Sequence, residues 1–310
     1  MTLELLEPRF LLLYVYVGSA LYVHLRGQVR LPLHKQLFNH SSLLAPYNAL
    51  MYLFSAVQAK PYLEVERFPD LASLRENWET IRDEAAKLLD EGQIGVATGN
   101  NDVGFNSFLR RGWRRFYIKW YGDALPSAQR LCPKTTALLN AIPSVNAAMF
   151  TLLPPGSKLN PHRDPFAGSL RYHLGLITPN TENCHIVVDG VAYHWRDGEA
   201  VMFDETFIHQ ASNDTDKTRL ILFCDIERPL RSRFLSWVNR VLMRPLVKSS
   251  ATQNVPGEQV GLLNRFYSNV YYPVATLIDD AFRHLKQFNR LLYRVVKVGL
   301  IVAVLYVIFV

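Results

Sequence analysis

Apolar residues change their spacing three times along the chain, and each change predicts a different kind of structure. Residues 10–23 pass without a charge, and residues 298–310 are again wholly uncharged. Between these ends, apolar positions recur at helical intervals over 71–89 and stop before Gly92, which predicts one amphipathic helix. Residues 60–68 read as extended, and alternating aromatic and polar residues predict a strand over 116–121. A short helix is expected over 131–142, stopped by Pro143. From there the runs shorten to 147–153, 170–177, 185–188, 191–195, 200–203 and 219–226, with Asp189-Gly190 and Asp197-Gly198 as turn dipeptides. Many short strands at close spacing predict a mainly β fold with flanking helices. A double-stranded β-helix of the jelly-roll, cupin-like kind fits this texture, and such folds house metal sites.

The terminal runs predict hydrophobic membrane segments at both ends. Residues 10–23 are short for a span, but Glu4 and Glu7 beside Arg9 are not the positive start of a signal peptide, so a retained anchor is expected. At the other end Arg290, Arg294 and Lys297 share one helix face, from which they can snorkel to headgroups. Arg26, Arg30 and Lys35 follow the first segment, and Arg283, Lys286, Arg290 and Arg294 precede the last, which puts the middle of the chain in the cytoplasm by the positive-inside rule. Residues 43–57 are apolar and aromatic. In 228–248, Arg228, Arg231, Arg233, Arg240 and Arg244 interleave with Phe234, Trp237 and Leu242, a pattern that suits an anionic lipid surface or an ordinary solvated helix face. The expected organisation is an anchor over 1–26, a membrane-proximal segment over 27–59, a β-rich domain over 60–229, a basic surface helical region over 230–288 and a hydrophobic segment over 289–310.

Composition narrows this picture. With 310 residues, 49% apolar and 12% aromatic, the chain supports a sizeable core and is not disordered. A net charge of +7 and a pI near 9.3 suit lipid, nucleic acid or cytoplasmic loops, but no nucleic-acid motif is present. Cys132, Cys184 and Cys224 form no C-x-x-C pair, which excludes a disulfide framework and a zinc knuckle.

The candidate chemistry starts at His162-Arg163-Asp164, where two-residue spacing on an extended backbone turns imidazole and carboxylate to one face. His209, 45 residues beyond Asp164, is the candidate third ligand. Two histidines and a carboxylate leave three positions open on Fe(II), whereas a structural zinc site is closed by four protein ligands. Arg219 opens an apolar run, a setting that fixes a guanidinium for bidentate contact with a dicarboxylate. Arg171 and His173 share one face of 170–177 near the presumed site. Each residue alone has a structural explanation, a turn before Pro165 or a pairing of Arg219 with Asp216 or Glu227, and the joint spacing carries the signal. His185 and His194 lack a carboxylate at two-residue spacing and are read as structural.

Three stretches, PHRDPFAGSLRYHLGL from Pro161, WRDGEAVMFDETFIHQASN from Trp195 and RLILFCDIERP from Arg219, resemble the aspartyl/asparaginyl β-hydroxylase superfamily. They look most like its bacterial membrane branch, the lipid A 2-hydroxylases. The resemblance is strongest over 151–229 and weaker over 113–143. It implies that His162 and His209 bind Fe(II), with Asp164 as third ligand, although animal members have no carboxylate there. It further implies that Arg219 grips the distal carboxylate of 2-oxoglutarate, that Arg171 and His173 bind its other end, and that Thr151 also contacts it. The implied reaction uses O2, releases succinate and CO2, and hydroxylates C2 of a secondary acyl chain of lipid A. The implied partner is lipid A or another acylated membrane lipid at the bacterial inner membrane, with the catalytic domain facing the cytoplasm, no nucleic acid and no obligate protein partner. A peptide Asp/Asn hydroxylase and a non-catalytic cupin-like sensor are the alternatives.

Overall fold

Two antiparallel sheets carry the fold in the computed structural model, which describes residues 8–33, 36, 39–95 and 102–309. The strands are β1 (Tyr62–Leu63), β2 (Arg114–Trp120), β3 (Val145–Leu153), β4 (Lys158–His162), β5 (Ser169–Ile177), β6 (Cys184–Val188), β7 (Val191–His194), β8 (Ala200–Phe203), β9 (His209–Asn213) and β10 (Arg219–Glu227). One sheet has the order β1-β8-β5-β10-β3-β2 and the other β4-β9-β6-β7. From β3 to β10 the chain passes back and forth between the two, which is the double-sheet jelly roll.

The long central strands are buried on both faces, so they read as apolar runs with few interruptions. Their period of two still separates the faces. Leu220, Leu222, Cys224 and Ile226 of β10 pack outward with Leu170, Tyr172 and Leu174 of β5, against helices. Ile221 and Phe223 point between the sheets with Met149, Leu153 and Ile186. By the same alternation Arg219 and Asp225 of β10, Thr151 of β3, and Arg171 and His173 of β5 belong to the inner face.

Helices wrap this sandwich: α1 (Pro8–Leu25), α2 (His40–Leu43), α3 (Ala45–Leu53), α4 (Ala72–Glu76), α5 (Trp78–Asp90), α6 (Asn106–Leu109), α7 (Pro126–Leu131), α8 (Pro133–Asn140), α9 (Arg233–Val238), α10 (Arg244–Lys248), α11 (Leu262–Phe266), α12 (Tyr272–Phe288) and α13 (Arg290–Phe309). The single helix expected over 71–89 is split at Asn77, whose side-chain amide donates to the Ser73 carbonyl at 2.8 Å. The helix expected over 131–142 runs as α8, with Pro133 in its first turn, where the missing N–H costs nothing, and α7 precedes it. The Asp189-Gly190 hairpin forms as read, both residues at positive φ (49° and 87°), as a two-residue loop of this hand requires. Strand β1 falls within the stretch expected to be extended over 60–68, β4 and β9 are absent from the periodicity, and all three are short, with β4 largely solvent-facing.

The terminal segments are helical, but among the described residues no helix is long and apolar enough to cross a membrane, which corrects the expected transmembrane segments. Helix α1 has 18 residues, about 27 Å, and turns Ala20 and Val23 onto protein. In α13 the cations Arg290, Arg294 and Lys297 occupy the first half and leave 298–309, about 18 Å, against a hydrocarbon core of about 30 Å.

Arg228 is a second correction. It was read as part of a lipid-facing basic stretch, but its side chain is 1% exposed and its guanidinium lies 2.9 Å from Asp204. Asp204 also receives Arg26 at 2.6 Å, tying the residue just after α1 to the sandwich. The two arginines outweigh burial and hold this carboxylate well below the usual range. Arg240 pairs with Glu227 and Arg244 donates to Asn146, so Arg231 and Arg233 remain beside the exposed Phe234, Trp237 and Leu242. Asp204→Asn strands two buried guanidinium groups, and we expect urea denaturation to register a loss of about 3–5 kcal/mol.

Candidate metal centre

His162 ends β4 and His209 begins β9, and the register places them directly opposite each other. Their rings are 4.2 Å apart between centroids. Asp164 lies past the end of the strand, so the two-residue rule brings it to the histidines through a loop whose Asp164 N–H donates to the Glu205 carbonyl at 2.9 Å. The Asp164 carboxylate is 3.8 Å from His162 Nε2, and one donor atom from each of the three residues lies within 4.8 Å of the others. Among the described residues this is the one such cluster of three.

The imidazoles are oriented for ligation. His162 Nδ1 meets the Asn160 carbonyl at 2.7 Å and His209 Nδ1 the Phe207 carbonyl at 3.0 Å. A carbonyl can only accept, so each Nδ1 carries the proton and each Nε2 keeps its lone pair for a metal. Burial lowers both histidines, His209 to about 3, with the neighbouring imidazole adding to the effect there. Burial would raise Asp164, but Arg171, His209 and His162 together hold it at about 2. Two neutral imidazoles and one carboxylate thus face each other at neutral pH.

Arg171 is the immediate neighbour. Its Nη2 donates to Asp164 Oδ2 at 2.8 Å and also contacts Glu205, its Nε lies 3.0 Å from Asp225, and its plane covers Phe223 at 3.7 Å. Tyr121 donates to the other oxygen of Asp225 and Ser169 to Glu205. Arg171 lines the cavity, as its position on β5 predicts, with its charge already matched by protein carboxylates.

Arg219 is the opposite case. It is 3% exposed and lines the same cavity, its guanidinium 4.5 Å from the centre of the Trp195 ring, and no ion pair reaches it among the described residues. Desolvation lowers it to about 10. Thr151, His173 and Trp195 share the cavity. Thr151 Oγ1, both His173 nitrogens, Trp195 Nε1 and two Arg219 nitrogens are buried without a protein partner. A buried cation ringed by unsatisfied donors fits an anion with several acceptor oxygens. The remaining wall, next to His162, is Phe105, Phe108, Trp113 and Leu159, with the Phe108 ring 4.7 Å from His162.

Trp195, Glu205 and Asp225 escaped the sequence reading. Asp225 left a signal, an acid on the inward phase of an apolar strand that must find a partner, whereas Trp195 and Glu205 left none. His185 and His194 face each other on the β6–β7 hairpin, both Nδ1 atoms on the Glu182 carbonyl, apart from the cluster.

Fold and site together define a jelly-roll protein with a two-histidine, one-carboxylate centre beside an anion pocket. Residues 75–229 match the aspartyl/asparaginyl β-hydroxylase family, and the chain belongs to it. It is 34% identical over 214 residues to the ornithine lipid ester-linked acyl 2-hydroxylase of Rhizobium tropici, covering 67% of this chain and 76% of that protein. Human aspartyl/asparaginyl β-hydroxylase is 28% identical over 187 residues, 58% of this chain, of which the match spans only 24% of the human protein's length. A Pseudomonas putida prolyl-4-hydroxylase structure aligns with 50% of this chain and 87% of its own at a TM-score of 0.33 and 19% identity, and the fold rests on its strand order instead.

The buried histidines set a pH dependence. Their folded pKa values lie below the unfolded value of about 6.5, so the unfolded chain binds more protons on acidification. Stability from His162, His173 and His209 is full above that value and is lost as pH falls toward the folded values. Thermal melts of the metal-free protein should drop between pH 7 and 4, and His209→Gln should flatten the curve. An equally steep curve in that variant would remove His209 as a contributor.

Proposed function

We propose that this hydroxylase is Fe(II)- and 2-oxoglutarate-dependent and acts on C2 of a secondary acyl chain of lipid A or another acylated membrane lipid. The observation that carries the cosubstrate is Arg219, a buried cation without a carboxylate partner among the described residues, in the same cavity as His162, Asp164 and His209. His162, Asp164 and His209 would hold the iron. Arg219 takes the distal carboxylate in bidentate fashion, Thr151 and His173 donate to the cosubstrate, and Arg171 acts mainly on Asp164. Bound ferrous iron, with 2-oxoglutarate and O2, supplies the oxidation that replaces hydrogen by hydroxyl at carbon and releases succinate and CO2. Phe105, Phe108, Trp113 and Leu159 exclude water beside His162 and offer an apolar surface to an acyl chain rather than to a peptide carboxylate.

The acyl reading is supported by the ornithine lipid hydroxylase among the relatives, which favours ornithine lipid as a second substrate. Lipid A is preferred because Arg110, Arg111 and Arg114 are exposed on the turn that carries Phe108 and Trp113, without carboxylate partners among the described residues. Arg111 reaches Asn160, two residues from His162, so this basic rim suits phosphate. We assign the chain to the cytoplasmic face of the bacterial inner membrane. Attachment there would run through exposed side chains of α1, among them Leu11, Leu12 and Val15, together with Phe234 and Trp237 of α9.

Protein purified anaerobically and loaded with Fe(II) should release succinate from 2-oxoglutarate when lipid A is added, and the lipid should gain one oxygen in mass spectra. His162→Ala and His209→Ala should abolish both. Succinate without an oxygenated lipid A would shift the assay to ornithine lipid and then peptides, and no succinate under any condition would favour a sensor. Arg219→Lys loses the bidentate contact, and we expect KM for 2-oxoglutarate to rise about 10- to 150-fold. An unchanged KM would place the anion elsewhere.

A further inference from the structure

We infer that Arg163, the residue between two candidate ligands, is a positioning residue that ties the metal donors to α1, so that contact of this helix with lipid is felt at the metal site. The inference rests on the metal-centre reading above. Arg163 is 1% exposed, and its Nη1 donates to the Val23 carbonyl at 2.6 Å. Val23 lies in the last turn of α1, where carbonyls lack intrahelical partners and the helix dipole favours a cation. The Arg163 carbonyl accepts from His40 Nε2 at 2.9 Å, and Asn48 of α3 bonds the Pro165 carbonyl and the Ala167 N–H at 2.8 and 2.9 Å. From the sandwich side, the Asp164 N–H bonds the Glu205 carbonyl, Arg171 contacts the Asp164 carboxylate, and Arg228 Nε donates to the Ala167 carbonyl.

The end of α1 is fixed on its other side as well. Arg26 donates to Asp204 and Thr206, each at 2.6 Å, and the Gln28 and Val29 N–H groups bind the Asp189 carboxylate. One face of α1, through Ala20 and Val23, shares a small core with Met51, Tyr52, Ala167 and Leu235. Its remaining surface exposes Leu11, Leu12, Val15, Leu21 and Leu25. A lipid surface that covers this apolar side restrains the helix, and with it the Val23 carbonyl on which Arg163 rests. The His162–Asp164 geometry is then best defined when the helix is seated on lipid.

Co(II) binding, followed by its visible absorption, and hydrogen exchange at 163–167 test this with the full chain. The probe is vesicles of phosphatidylethanolamine and phosphatidylglycerol. Arg163→Met should weaken Co(II) about 10- to 100-fold, and Arg163→Lys, which still reaches the carbonyl, should recover most of it. Vesicles should slow exchange at 163–167 in the wild type but not in Arg163→Met. The double variant Leu12→Asp, Val15→Asp should keep the vesicle-free Co(II) affinity and lose the vesicle effect, which serves if Arg163→Met does not fold. Wild-type affinity in Arg163→Met, or vesicle protection equal in all variants, would overturn the coupling. Wild-type protein that binds no Co(II) sinks the metal reading instead, and the exchange comparison still decides the coupling.

Discussion

Everything at the mouth of the sandwich depends on one buried guanidinium. Arg171 gathers Asp164 from the β4–β5 loop, Glu205 from the segment after β8 and Asp225 from β10. Three carboxylates around one cation cannot all stay charged cheaply in a low dielectric. Burial and mutual repulsion raise Glu205 and Asp225, while the Arg171 guanidinium outweighs burial at Asp164 and keeps it ionised. The cluster therefore delivers one charged oxygen toward the histidines and keeps the other on Arg171.

The two arginines of the cavity divide the work by their surroundings. Arg171 is paired with protein carboxylates and fixes Asp164, whereas among the described residues Arg219 has an aromatic face and no counter-charge. A buried, uncompensated cation is costly, and the cost is offset when an anion arrives. One cavity thus holds the His162, Asp164 and His209 cluster, the Arg219 cation and, against His162, the Phe108 ring.

Chemistry and period coincide at the candidate site. The H-x-D pair, His209 and Arg219 meet in one cavity, and the inward phase of the central strands placed Thr151, Arg171 and His173 with them. Asn77 breaks a helix that periodicity draws as continuous, since apolar spacing does not register a local hydrogen bond. The basic stretch at 228–248 was misjudged for Arg228, because a charged residue beside apolar ones looks the same whether it faces lipid or a buried Asp204.

What the sequence by itself determined was the alternation that makes a β sandwich and the histidine, carboxylate and arginine residues that share one cavity. These depend on local spacing, which the chain carries explicitly. Only the tertiary structure decided that His162 faces His209 across a strand pair and that Arg171 is spoken for by three acids. It also decided that Trp195 backs Arg219 and that the N-terminal helix holds the ligand loop through Arg163. Those are contacts between residues far apart in the chain, selected by which faces the folded sheets and helices bring together, and a one-dimensional pattern gives the face of each element but not its partner.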